Sequence, residues 1–271
     1  RAGAMIETDA MPPPLRSGRG GGLDKDDRAA ALAFLNAVER EALAKGGAAG
    51  TEPARRMTRD ELAHALRDLL NVTVDVAALM PPELVAENSF DTNGGTLFIH
   101  GEWLKRADVA VRVAVDAAFP DGAREGVAAG FSLGPFLRRA FRRPPSQEEL
   151  ERYGALRASR LKGGATAEQA LRATLFAILS SPHFRLRLED VPLRPAKGER
   201  AVSPYGLASR LSFLLWAGPP DDRLLDLADS GKLAEPEVLA TEAARMLDDA
   251  RALRFARSFA GQWLGTRRVG R

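Results

Sequence analysis

The sequence predicts an all-α protein made of small helical bundles joined by Pro- and Gly-rich loops. Three observations carry that prediction. Apolar residues recur at the i, i+4, i+7 and i+8 spacing of one helical face, as Leu171, Leu175, Ile178 and Leu179 and again as Leu207, Leu211, Leu214 and Leu215. Capping boxes, in which a hydroxyl and a residue three further on satisfy each other's backbone N–H groups, open helices at Thr58–Glu61, Ser146–Glu149 and Thr166–Gln169. Proline and glycine clusters such as Pro144-Pro145, Gly163-Gly164 and Gly218-Pro219-Pro220 punctuate the segments between them. The pattern gives about ten to twelve helices.

The first residues, with MPPP at 11–14 and GRGGG at 18–22, have the composition of a flexible tail. Asp24 to Lys45 reads as a capped, alanine-rich helix with Leu32, Leu35, Val38 and Leu43 on its apolar side. Residues 46–57 read as a linker. Thr58 caps a helix carrying Leu62, Leu66, Leu69 and Leu70, with His64 among them. Residues 71–100 are irregular, and Thr96 to Ile99 form a short extended piece. Glu102 to Phe119 is helical, followed by a Pro120-Asp121-Gly122 turn.

Leu133 to Phe141 is the next helix, stopped by Arg143-Pro144-Pro145. Ser146 and Thr166 cap the two that follow, and Ser180-Ser181-Pro182 breaks the second. Ser203-Pro204 then starts a helix, with proline where its missing N–H costs nothing. Leu207, Leu211, Leu214 and Leu215 form its buried face, widened by Phe213 and Trp216. Asp221-Asp222, Pro236 and the pair Asp248-Asp249 begin three more helices, the last bearing Leu253, Phe255, Phe259 and Trp263.

These motifs carry a resemblance. Y-x-LASRLSFLLW, PDDRLLDLADSGKL and RSFAGQWLG are similar to the start of one member of a domain-of-unknown-function series found in large exported cytochrome c proteins of planctomycetes and related bacteria. RDELAHALRDLLNV with NSFDTNGG resembles a first companion domain, and FLRRAFRRPPSQEELERY with LFAILSSPHFRLRLE a second. The expected organisation is therefore the tail and last helix of a cytochrome c-like domain at 1–45, a linker at 46–57, helical domains at 58–122 and 133–190, a linker at 191–202, and at 203–271 the start of a third helical domain, truncated.

The resemblance implies a haem c group in the full-length parent and none in this chain. Met11, in Met11-Pro12-Pro13, occupies the position of that family's axial haem ligand. The Cys-x-x-Cys-His attachment motif is absent, so the haem-bearing portion is expected upstream of Arg1 and further domains downstream. These missing portions are the implied partners. Export to the periplasm or beyond is implied in the same way, although no signal peptide is visible.

Composition excludes several classes. Without cysteine the chain forms no disulfide, thiol nucleophile or cysteine-ligated zinc site. No apolar run is long enough to span a membrane. The net charge of +3 on 271 residues gives no nucleic-acid signature. The one basic cluster, Arg138, Arg139, Arg142 and Arg143, reads as a phosphate patch or as flanks of a buried helix face paired with nearby acids.

Candidate chemistry is sparse. Phe90 to Gly95 resembles a polar recognition loop, in which Asp91 and Asn93, with Glu87 and Asn88, offer oxygens to calcium. Tight-turn chemistry explains the same residues. His64 and His100 stand alone. Ser180, Ser181, His183 and Glu189 contain the residue types of a nucleophile relay, but their spacing fits no elbow motif. The acidic pairs Asp26-Asp27, Asp60-Glu61, Asp221-Asp222 and Asp248-Asp249 read as helix starts. No metal ligand set or catalytic residue is evident. Three functions follow: a scaffold segment of an exported haem-linked electron-transfer protein, a non-catalytic helical interaction module, or a hydrolase.

Overall fold

A computed structural model describes residues 54–83, 90–119, 130–187 and 202–264, together with 29, 30, 33, 34 and 37. The chain divides into two units, one of Arg1–Glu52 with Lys197–Glu199, the other of Pro53–Ala196 with Arg200–Arg271. In the first, the described residues Ala29, Ala30, Ala33, Phe34 and Ala37 are helical and exposed.

Among its described residues the second unit is mostly α-helical, as expected. Its elements begin with a two-residue strand β1 (Arg55–Arg56), then α1 (Arg59–Leu70), α2 (Val76–Leu79) and α3 (Gly101–Ala118). α4 (Leu133–Phe141), α5 (Gln147–Lys162), α6 (Ala167–Leu179) and α7 (Pro182–Arg185) follow, and strand β2 (Leu186–Arg187) pairs antiparallel with β1. α8 (Pro204–Trp216), α9 (Asp222–Asp229), a 3₁₀ turn (Lys232–Ala234) and α10 (Pro236–Asp248) come next. α11 (Ala252–Phe255) runs through a π-helical stretch (Ala256–Ala260) into a last turn (Gly261–Trp263). Among the described residues no helix is long and apolar enough to cross a membrane.

The three capping boxes form as read: Thr58 with Glu61, Ser146 with Glu149 and Thr166 with Gln169. Ser203 caps α8 by accepting from the Gly206 N–H at 3.0 Å. His100 proves to be the N-cap of α3, its ring Nδ1 accepting from the Trp103 N–H at 3.3 Å.

Two apolar cores organise this unit. In the first, Leu62 and Leu66 of α1 meet Ala107, Ala110, Val111 and Ala114 of α3, Leu137 of α4, and Leu171, Leu175, Ile178 and Leu179 of α6. The alanine stripe lets α3 lie close to α1 and α6. Each fully buried Leu or Ile stabilises the fold by about 1.5–3 kcal/mol. The segments 58–119 and 133–187 thus share one core rather than each closing its own. The second core gathers Ala208, Leu215, Trp216, Leu224, Ala228, Leu233 and Met246 from α8 to α10.

Helix α8 belongs to both cores, which corrects its expected face. Phe213 enters the first core while Ala208, Leu215 and Trp216 enter the second. Leu214, read as buried from its spacing, is 60% exposed. A helix wedged between two cores has no single apolar stripe, so a one-face pattern misassigns part of it.

Three further expectations are revised. Thr96 to Ile99 form no strand; instead the Phe98 carbonyl accepts from Arg56 Nε at 3.0 Å. The strands lie in Arg55–Arg56, at the end of the stretch read as linker, and in Leu186–Arg187. Asp248 ends α10 rather than beginning a helix, whereas Asp249 opens the turn into α11, its Oδ1 accepting from the Arg251 N–H at 2.8 Å and its carbonyl from the Ala252 N–H at 2.9 Å.

Candidate functional site

The loop read as a recognition element, Phe90 to Thr96, is built by turn chemistry. The Asn93 N–H donates to the Phe90 carbonyl at 3.1 Å, closing one turn. Asn93 Oδ1 accepts from the Gly95 N–H at 2.9 Å, and the Asn93 carbonyl accepts from both the N–H and the hydroxyl of Thr96 at 3.0 Å. Asparagine suits this turn because its side-chain amide imitates a backbone turn. Glu87 and Asn88, the other oxygens considered for calcium, lie outside the described residues. Among the described residues no three His, Asp or Glu side chains converge as a metal site.

This loop docks on the C-terminal helix. The N–H of Asp91, itself buried, donates to Gln262 Oε1 at 2.8 Å. Gln262 Nε2 in turn donates to the Ser258 carbonyl at 3.0 Å and lies 3.2 Å from its hydroxyl. Both residues flank or occupy the π-helical stretch, a conformation often retained at functional sites. The Phe90 ring stacks on Phe259 at 5.6 Å and 10°. Phe259 stacks in turn with Phe255 at 5.2 Å and with Trp263 at 6.1 Å. Phe259 is 42% and Trp263 47% exposed, so part of this aromatic row faces solvent. The arrangement places flat, partly exposed apolar rings beside backbone turns.

The residues considered for a hydrolase turn to separate partners. Ser181 Oγ accepts from the His183 N–H at 3.1 Å and so caps α7. Ser180 Oγ donates to Asp108 Oδ1 at 3.1 Å and accepts from Arg185 at 2.9 Å. The His183 ring lies 3.6 Å from Glu149 and 3.5 Å from Arg143, and packs on Phe141. Arg143 forks onto Glu149 at 3.0 and 2.7 Å and holds that carboxyl down at about 2. Burial, then Arg143, lowers the His183 pKa. Glu189 lies outside the described residues.

The arginine cluster on and after α4 is occupied within the chain. Arg138 bonds Asp226 at 2.7 Å and Asp229 at 2.6 Å, and Arg139 bonds Asp222. Arg142, buried in a left-handed conformation at φ 61°, donates to the carbonyls of Ala140, His183, Phe184 and Leu186. Burial pulls its pKa down to about 10. The paired-flank alternative read from sequence is the one realised.

Sequence reasoning missed the pairings that join the two cores, although His64 and Asp91 were singled out for other reasons. Arg254 forks onto Asp68, His64 Nδ1 lies 3.1 Å from the Ala217 carbonyl, and Gln262 reaches Asp91. Gly218 sits at this junction, where an added Cβ would stand 3.1 Å from Asp68 and 3.2 Å from Arg254. Met11 lies outside the described residues. With no cysteine in the chain and all three histidines engaged as above, the described residues do not fit a covalently attached haem.

Three family models match the chain in series. PSD3, a protein of unknown function (DUF1587), covers residues 55–120. PSD5, a protein of unknown function (DUF1595), covers residues 128–189, and PSD4, a protein of unknown function (DUF1592), covers residues 202–271. No curated protein and no solved structure matches.

Proposed function

We propose that this chain, with its three domains in series, is the helical scaffold segment of an exported, haem-linked electron-transfer protein. One observation supports the scaffold role above the others: side chains from the third matched segment bridge back to both earlier ones. Arg254 reaches Asp68, Gln262 reaches Asp91, and Asp226 and Asp229 hold Arg138. Such bridges make a frame able to hold neighbouring domains in fixed relation. The redox context comes from the resemblance. A cytochrome c portion before Arg1 would carry the haem, with Met11 as its axial thioether, and further domains would follow Arg271. Haem supplies one-electron transfer there, and a thioether ligand raises its potential. This chain's described residues supply positioning alone. Residence in the periplasm belongs to the same proposal.

The visible absorption spectrum of the complete gene product, exported with haem-attachment machinery, tests this reading. A covalent haem signal altered by Met11→Ala is the expected result. Absence of haem in a product that contains everything upstream would overturn it.

A second reading, a non-catalytic helical interaction module, is favoured by the exposed aromatic row of Phe259 and Trp263. A hydrolase is disfavoured because Ser181 Oγ accepts from the His183 backbone N–H rather than meeting its ring, and Ser180 turns to Asp108 and Arg185. Turnover lost on replacing His183 or Asp91 would reinstate it.

A further inference from the structure

We propose that Asn93–Gly94 is a site of intramolecular covalent modification, at which the asparagine loses its amide and the docking loop is altered. Asn93 is exposed. Its Oδ1 accepts the Gly95 N–H at 2.9 Å, which draws the side-chain carbonyl back over the following backbone. The closeness shows in Gly95, where a built Cβ would lie 3.3 Å from that same oxygen. Gly94 itself brings no Cβ to obstruct approach of its nitrogen. The Gly95 N–H is also placed to stabilise charge developing on Oδ1, as an oxyanion donor does.

The chemistry needs only water and hydroxide. Hydroxide removes the Gly94 amide proton, and the nitrogen attacks Cγ of Asn93. The Cγ–Nδ2 bond breaks, ammonia leaves, and a five-membered succinimide closes. Water then opens the ring at one of its two carbonyls. Attack at Cγ gives aspartate; attack at the former backbone carbonyl gives isoaspartate, with the main chain rerouted through the side chain. In total one amide and one water become one carboxylate and one ammonium ion, with no change of oxidation state.

The consequence reaches the C-terminal helix. Either product places a new negative charge two residues from the buried Asp91. Isoaspartate also converts the Asn93 carbonyl, which accepts both bonds from Thr96, into a free carboxylate outside the main chain. The turn that presents Asp91 to Gln262 and Phe90 to Phe259 is then lost.

The full chain is held folded at mildly alkaline pH in water enriched in heavy oxygen, then digested. Mass spectrometry and isoaspartyl methyltransferase labelling read the peptide carrying Asn93. Conversion at Asn93, with one heavy oxygen incorporated and both acids formed, is expected, while Asn71, followed by Val72, serves as an internal control. Gly94→Ala is expected to slow conversion at least about tenfold, a barrier increase of about 1.4 kcal/mol. Circular dichroism confirms that the variant is folded. If the folded chain keeps its amide while the same chain in urea converts, the turn protects Asn93 and the proposal falls. Equal rates in wild type and a folded Gly94→Ala would overturn it as well.

Discussion

Arg254 and Asp68, 186 residues apart in sequence, meet through two parallel hydrogen bonds of 2.7 Å. Both side chains are largely shielded, at 13% and 19% exposure, and Arg254 also lies 3.4 Å from the Trp216 carbonyl. A forked guanidinium–carboxylate pair in this setting exceeds the usual surface bridge. The coupling between Asp68→Ala and Arg254→Ala in a double-mutant cycle should be about 1 kcal/mol. The single variants should also expose the C-terminal helix to trypsin. Additive variants, with unchanged cleavage, would mean that this bridge does not join the cores.

Glu61 and Arg55 pose the opposite electrostatic case, since both are almost fully buried. Burial alone would raise the Glu61 pKa; the two 2.7 Å bonds from Arg55 outweigh it and hold the carboxyl below its ordinary 4.5. A carboxylate with a lowered folded pKa contributes stability above 4.5, and that contribution is lost as the pH falls through the folded value. Glu61→Gln leaves Arg55 buried without its counter-charge and should cost about 3–5 kcal/mol in urea unfolding. Arg55→Met with Glu61→Leu should recover most of that loss, because the desolvation of both charges disappears together. A double variant as weak as the single one would show that the pair itself, rather than its completeness, supports the fold.

Arg142 makes a similar demand without any acid in direct contact. Its guanidinium satisfies four carbonyls where α4 meets α7 and β2. Lysine keeps the charge but not the planar fork, so Arg142→Lys should leave carbonyls unpaired. The expected loss is about 2–3 kcal/mol, read from the urea midpoint. A loss of a few tenths would mean that water replaces the fork.

The local structure was legible because helix starts are written in adjacent residues. Thr58–Glu61, Ser146–Glu149 and Thr166–Gln169 each needed only four positions to be recognised. The junctions were not legible, because their partners are remote. Nothing near Arg55 and Arg56 announces their strand partner Leu186–Arg187. The polar loop was found from Asn93-Gly94-Gly95, yet Gln262, the docking partner of Asp91, lies 171 residues away in the last turn, just past a π-helical stretch that leaves no sequence period. Leu214 shows the cost of reading one face where tertiary packing supplies two.

Trp216 anchors the second core through its ring and its indole N–H. Its Nε1–H donates to the Met246 carbonyl at 3.0 Å. The Arg251 guanidinium lies 3.4 Å from the ring centroid and that of Arg245 at 5.5 Å. Trp216→Phe should lose the hydrogen bond, leave the Met246 carbonyl unpaired and open a void, costing about 2–3 kcal/mol. Arg251→Met, which keeps the apolar stem but not the cation, should cost about 1 kcal/mol. If the methionine variant is neutral, the stem rather than the charge covers the indole.

His64 makes the junction sensitive to acid. Its Nδ1 faces the Ala217 carbonyl at 3.1 Å, and since a carbonyl only accepts, Nδ1 carries the proton of the neutral ring. Burial first, and then Arg254 across the junction, push its pKa below the ordinary 6.5; the Ala217 carbonyl and the carboxylates of Asp60 and Asp68 on its own helix oppose them without prevailing. A histidine whose folded pKa is lowered contributes stability above 6.5, and that contribution declines as the pH falls below it, because the unfolded chain takes the proton more readily. His64→Gln offers an amide N–H to Ala217 without titrating. The difference in urea midpoint between wild type and His64→Gln should therefore move against the wild type on acidification through the histidine range. Carboxylates common to both chains cancel in that comparison, so a difference that stays level across the range would mean that burial and Arg254 do not hold the His64 pKa below its ordinary value.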